Sequence, residues 1–451
     1  MQRSWVLLPV ATAALLISQL DPPTLPSGYV DPMALATATA AAGWHCMLPH
    51  RGRRVQLRSA GKPPLTVSAS ELTAAEDDSP GRPKVIPGLG TGPGKNPKAQ
   101  INGELTGPDD AQSFQVPMRA GEVLGVTVSG GARQLDIRDP RGTLLEGSEA
   151  DRASSYPASS PLPGGGNATV DHVAAVTGTH VLTVRRGSGA YQATVALLTP
   201  PSAAPQKIYL DFSGPSVDTR IFGMDNGAAQ PRKLSPLHSF LAAWGLRDSD
   251  EPALIGKITD TVAANLRGAG GGAPIEVTNS TRSPDSWGQA DVSRVVIGGS
   301  AAEASIDTVG ISQSVDPGNF DRKETALVLL DSLAQPADQV ISLNHYLPGG
   351  GDRLDFIAAA VGNIASHESG HFLGSWHTDP NSGRHDLMAP GDLVGAFGYG
   401  PDGIGGTADD TQPRFSKDTF APAEGFTGTE DTRTRTEVGL GGGGTRRGAA
   451  G

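Results

Sequence analysis

Three of the ten histidines in this 451-residue chain fall within "HESGHFLGSWH" (367–377), and their spacing constrains the fold more than any other feature. The stretch before it, "DRLDFIAAAVGNIASHESGHFLG", reads as a helix with Asp352 as its N-cap and an end near Gly374. Residues four apart on a helix share a face, one turn apart. His367 and His371 therefore stand side by side, on a stripe that Ala360 and Ile364 extend backwards. His377 cannot join that face if the helix continues. Gly374 removes the obstacle, because glycine tolerates the left-handed conformation that ends a helix and turns the chain sharply. The third imidazole then comes back over the first two. Three neutral histidines leave one position of a tetrahedral zinc open, the mark of a catalytic site. Glu368, one residue past the first ligand, can reach a water there without displacing a ligand. A bare HExxH arises by chance about once in a hundred such chains, and the added Gly and His lower this to on the order of 10⁻⁵–10⁻⁴.

With "HDLMAP" (385–390) following, these residues resemble the metzincin zinc endopeptidases, whose signature is HExxHxxGxxH and a methionine-containing turn. The resemblance implies Zn²⁺ on His367, His371 and His377, and Met388 as the hydrophobic floor beneath it. It further implies hydrolysis of a protein or peptide substrate by a zinc-bound water that Glu368 activates, with no covalent intermediate. The wording "LMAP" is closest to the matrixin branch. Pro390 stands where some relatives carry a tyrosine, so a tyrosine ligand or donor is not expected; Tyr399 is the substitute to consider. His345 and His385 are read as non-ligands. More loosely, "KIYLDFSG", "GISQSVDPGNFD" and "FAPAEGFTGTEDT" extend the likeness over 205–440.

Upstream, period-two alternation puts Phe114, Val116 and Met118 on one face of a strand, and likewise Leu124, Val126 and Val128, and Tyr191, Ala193, Val195 and Leu197. "DPRGTLLEGS" and "GTHVLTVRRGSGAYQATV" resemble the bacterial pre-peptidase C-terminal domain, a β-sandwich without chemistry of its own. After "TPPSAAPQ" the pattern is mixed: strands at "KIYLDFSG", "PIEVTNS", "SRVVIGGS" and "TALVLLD", and a helix with Leu254, Ile258, Val262 and Leu266 at helical spacing. The expected class is α+β: a metzincin-like domain with a twisted sheet and an active-site helix, preceded by an antiparallel β-sandwich. The boundaries read as a signal peptide over 1–25, a low-complexity linker or pro-segment over 26–100 with little stable structure, the sandwich over 101–198, the zinc peptidase domain over 205–440, and a tail over 441–451.

A net charge of −11 argues against a nucleic-acid partner, which would call for a basic face. The apolar run "WVLLPVATAALLISQL" (5–20) is short for a spanning helix and suits an export signal, so a secreted monomer without stable membrane association is expected. Cys46 is the single cysteine, which excludes an internal disulfide. Its surroundings, "GWHCMLPHRGRR", do not match the zinc-blocking motif of matrixin zymogens, and latency through Cys46 is left open. The loop "DGIGGTADD" gathers Asp402, Asp409 and Asp410; it reads as an acidic turn, with Ca²⁺ binding as the alternative. Two rival functions remain: a non-catalytic secreted binding or adhesion protein with a vestigial peptidase domain, and a zinc hydrolase acting on a non-peptide bond.

Overall fold

The computed structural model describes residues 46–47, 65–68, 83–89, 96–201, 205–223, 231–271, 275–348 and 350–441. The proposed signal run lies outside the described residues. The fold is α+β.

The C-terminal part is built on a six-stranded sheet. Strands β10 (Lys207–Asp211), β13 (Glu276–Asn279), β14 (Val292–Ile297) and β16 (Thr325–Val328) run parallel, in the order β16-β14-β10-β13. Next to β16, β15 (Gly310–Ser312) is antiparallel, and the outermost β1 (Cys46–Met47) pairs parallel with β15. A two-stranded ribbon, β11 (Ser216–Val217) and β12 (Arg232–Lys233), lies apart from this sheet. Helices α1 (Glu251–Ala269) and α3 (Arg353–Phe372) share one core with it; α2 (Ala301–Ala304) and α4 (Leu393–Phe397) are single turns. In α1, Leu254, Ile258, Val262 and Leu266 are all buried, as their spacing predicts. In α3, apolar residues do not form a stripe: every residue from Ala360 to Phe372 is buried. A helix enclosed on all sides lies within the core rather than on its surface.

The N-terminal part is a ten-stranded, mostly antiparallel sheet organised on two long strands, β6 (Val123–Arg138) and β9 (Gly178–Leu198). The start of β9 pairs with β5 (Ala111–Met118) and its end with β4 (Lys98–Leu105). The start of β6 pairs with β8 (Ala168–Val173) and its end with β7 (Leu144–Ser148). All three alternating sets named above, Phe114, Val126 and Val195 among them, point into its core.

Two findings differ from the expected organisation. The segment 26–100 is not bare linker: besides β1 it supplies β2 (Leu65–Ser68), parallel to β4, and β3 (Lys84–Val85), parallel to β5, and it sends Ile86 and Leu89 into the sandwich core. Short strands of this kind draw their stability from a pre-existing sheet edge and need no apolar period of their own. Secondly, strand pairing crosses 199–206. The hairpin β17 (Lys417–Thr419)–β18 (Phe426–Asp431), from beyond the histidine motif, joins the sandwich by pairing β18 with β7. Helix α5 (Thr432–Gly439) follows it, and a joint apolar cluster unites Val123, Tyr156 and Leu198 with Trp376, Phe426 and Val438.

Candidate metal centre

Helix α3 begins as its sequence requires: the Asp352 side chain accepts from the Asp355 N–H, an N-cap hydrogen bond. It ends at Phe372, and the Gly374 N–H donates to the His371 carbonyl. Gly374 has φ of 102°, and a Cβ there would come within 2.8 Å of Pro317 Cα, so only glycine makes this turn without strain. Beyond it, His377 swings back. The ring centroids of His367, His371 and His377 are then 5.0, 5.2 and 4.7 Å apart.

Each imidazole is held by its Nδ1. His367 Nδ1 donates to the Leu387 carbonyl at 2.6 Å, His371 Nδ1 to the Ser375 carbonyl at 2.9 Å, and His377 Nδ1 to Glu424 Oε1 at 2.6 Å. The carbonyl partners assign the proton to Nδ1 on His367 and His371 and leave Nε2 of both rings as a lone pair. The Nε2 atoms of His367 and His377 are buried without a hydrogen-bond partner among the described residues. Burial, with repulsion from His377 second, pushes His367 down to about 3; burial likewise pushes His371 well below the ordinary histidine range. The three buried rings converge as a group that could hold a metal ion.

Glu368 is buried beside them. Burial pushes its carboxyl up to about 8, opposed by the hydrogen bond from the Cys46 thiol. Cys46 Sγ donates to Glu368 Oε1 at 3.2 Å and lies 3.4 Å from His371 Nε2. Ligand atoms of Cys46, His367, His371 and His377 all lie within 4.8 Å of one another, a group that could hold one metal ion. Strand β1 delivers the thiol, by pairing Cys46 with Gly310 on β15. A small cavity bounded by Asn363, Ile364, Leu387 and Ala396 adjoins Glu368 and Cys46.

Met388 is fully buried, and its Sδ would lie 2.5 Å from a Cβ on Gly370, so the thioether packs directly under the helix turn between the two histidines. Asp386, which the sequence reading passed over, fixes this turn: it accepts from Met388 N at 2.7 Å, Ser416 N at 2.7 Å and Ser416 Oγ at 2.6 Å. Also overlooked was Glu424, although it lies inside "FAPAEGFTGTEDT"; no local rule marks it as a histidine partner. Tyr399 is stacked on Tyr346 at 4.5 Å, packed within the core. His345 Nδ1 meets the Ala337 carbonyl, and His385 Nδ1 meets Asp392, so neither joins the cluster.

Asp402, Asp409 and Asp410 behave as turn residues. Asp402 accepts from the Ile404 N–H, Asp409 from the Asp402 N–H and Thr407 Oγ1, and Asp410 from the Gly406 N–H. Among the described residues they do not converge into a ligand set.

No protein-family model and no curated protein sequence matches the chain. Among solved structures, it bears some likeness to periplasmic inhibitors of g-type lysozyme. That from Aeromonas hydrophila is 14% identical over 25% of this chain and 94% of that chain, with a TM-score of 0.17. The Salmonella Typhimurium inhibitor is 15% identical over 26% and 99%, with a TM-score of 0.18. A conserved Bacillus anthracis protein of unknown function is 12% identical over 60% and 50%, with a TM-score of 0.16. Scores this low carry no argument about fold or function.

Proposed function

We propose that this protein is a secreted zinc-dependent endopeptidase of metzincin type, and that Cys46 holds it latent. The observation that carries the reading is the convergence of three Nδ1-anchored imidazoles on one point, with the Glu368 carboxyl beside it. The donor set fits zinc: three buried imidazole nitrogens and a half-buried thiol sulfur in a group of four. His367, His371 and His377 would hold the metal, and a bound zinc would supply Lewis acidity to the scissile carbonyl and acidify an attacking water.

Glu368 Oε2 is buried and has no partner among the described residues, so it is available to handle a proton. It would take the proton released as the water oxygen bonds to the carbonyl carbon, then give it to the amine nitrogen as the peptide bond breaks. The carboxylate is regenerated at the end. Met388 and Asp386 support the histidines from below and take no part in proton transfer. Cys46 occupies the side of the cluster that a water and a substrate carbonyl would need, which supports a blocked resting state. The absence of any helix among the described residues long and apolar enough to cross a membrane is compatible with release from the cell.

The test compares cleavage of an unfolded protein substrate by the N-terminally processed wild type and by Glu368→Ala, with zinc measured in both. Loss of a positioned general base should lower the rate by about 10²–10⁴ while zinc remains bound. Zinc-loaded wild type that cleaves neither peptide nor ester and amide substrates would move a binding role ahead. Cleavage of esters or amides alone would favour the non-peptide hydrolase.

A further inference from the structure

The third histidine is reached by residues 374–377, a stretch outside helix and strand, which backbone bonds from Ser375 N–H to the Gly370 carbonyl and from Ala421 N–H to the His377 carbonyl hold together with side chains. Most of those side chains come from the sandwich or the elements joined to it. Trp376, adjacent to His377, is fully buried and donates from Nε1 to both carboxylate oxygens of Asp171, each at 3.0 Å. Its backbone N–H donates to Glu430 Oε1 at 3.1 Å. Asp171 is on β8 and also accepts from Tyr156 Oη at 2.7 Å.

Arg435, on α5, ties these groups together. Its Nη1 donates to Asp171 Oδ1 at 2.7 Å, to the Asp171 carbonyl at 2.9 Å and to the Gly374 carbonyl at 3.3 Å. Nη2 reaches Glu146 Oε2 at 3.2 Å on β7, and Nε lies 3.0 Å from Glu430 Oε2. Glu146 in turn accepts from the Asp171 N–H at 2.8 Å. All four charged side chains are buried. They sit in a joint otherwise filled by the apolar cluster of Tyr156, Trp376 and Phe426. Buried ions are expensive to desolvate, and apolar side chains of similar volume would often stabilise such a joint as well or better. What a hydrogen-bonded ion cluster supplies is direction, and this one is directed at Gly374 and Trp376, the residues that aim His377.

We propose that the β-sandwich is a positioning element of the metal centre, with Asp171 and Glu146 holding His377 in place through Trp376 and Arg435. The inference rests on the zinc reading above. It makes Asp171, Glu146 and Trp376 positioning residues rather than catalytic ones, and assigns the sandwich a part in metal affinity.

The experiment uses full-length protein and two conservative variants. Trp376→Phe keeps a ring between Tyr156 and Phe426 but removes the N–H; Asp171→Asn keeps the volume and removes the charge. Zinc affinity would be measured by competition with a chromophoric chelator, the ligand field by the visible d–d bands of the cobalt-substituted protein, and folding by circular dichroism. Both variants should fold, bind zinc about tenfold more weakly, as losses of outer partners do, and show altered cobalt bands. Folded variants with wild-type affinity and an unchanged cobalt spectrum would overturn the proposal. Should Asp171→Asn fail to fold, Trp376→Phe decides alone, since it leaves the ion cluster intact. A wild type that binds neither zinc nor cobalt would instead sink the metal-centre reading itself.

Discussion

At the residue scale, the centre is an arrangement of hydrogen bonds that leaves lone pairs unspent. Three Nδ1 donors each have an oxygen acceptor, and what remains is a cluster of bare nitrogens with one thiol among them. Burial pushes the Cys46 thiol up, with the charge of Glu368 adding to the effect, so without metal it stays protonated and donates to Glu368. A metal reverses this, because a coordinating thiol is deprotonated outright. Cobalt-substituted full-length protein should therefore show a near-ultraviolet thiolate-to-cobalt charge-transfer band that Cys46→Ser lacks. The same variant should hydrolyse an unfolded protein substrate at least about tenfold faster than the unprocessed wild type, which corresponds to about 1.4 kcal/mol less stabilisation of the closed form. Identical spectra and rates would show that the thiol does not ligate.

At the element scale, helix α3 and the turn that ends it carry the geometry. The i, i+4 pair on the helix is worthless to a tetrahedral ion unless the chain reverses at 374. Gly374→Ala places a Cβ at a φ of 102° and within 2.8 Å of the Pro317 backbone, which cannot move as a side-chain tip can. Such strain costs about 1–3 kcal/mol, to be read as a lowered urea midpoint, and zinc affinity should fall with it as His377 shifts. An alanine variant with wild-type stability and wild-type zinc binding would mean that the turn is more plastic than its contacts imply. The helix itself was legible from sequence, N-cap to glycine, because capping, spacing and chain reversal are local rules. Its enclosure on every side was less so: Ser366, Glu368 and Ser369 give the sequence a polar face that the fold nevertheless buries.

For the whole molecule, the sandwich and the sheet domain are joined by a strand pair, an apolar cluster and a buried ion group, and the last has a pH signature. Three carboxylates, those of Glu146, Asp171 and Glu430, face one guanidinium, which cannot keep all of them ionised. Burial, and then repulsion from Asp171, pushes Glu146 up to about 8; burial pushes Glu430 well above the carboxylate range against the pull of Arg435. A carboxyl raised in the folded state binds its proton more tightly there than in the unfolded chain. Stability from such a group is therefore present at low pH and lost as pH rises, here from about 4.5 toward about 8. Glu146→Gln cannot titrate. Its melting temperature should gain on that of the wild type as pH is raised through this window, when both are compared in zinc-loaded form. A gap that stays constant with pH would show that Glu146 is ionised throughout.

The chain's own pattern determined the clustering of His367, His371 and His377 with Glu368 beside them, the N-cap Asp352, the turning Gly374 and the alternating strands, because each follows from the repeat of a helix or a strand over a few residues. Tertiary structure alone decided the rest. Cys46 is separated from Glu368 by 322 positions, and nothing in "GWHCML" specifies a parallel pairing with β15. Asp171 and Arg435 lie 264 positions apart, each an ordinary charged residue in its own segment. Their meeting depends on sheet register and on β18 crossing to β7. Such choices of partner arise from packing across the whole chain, where local periodicity has no hold.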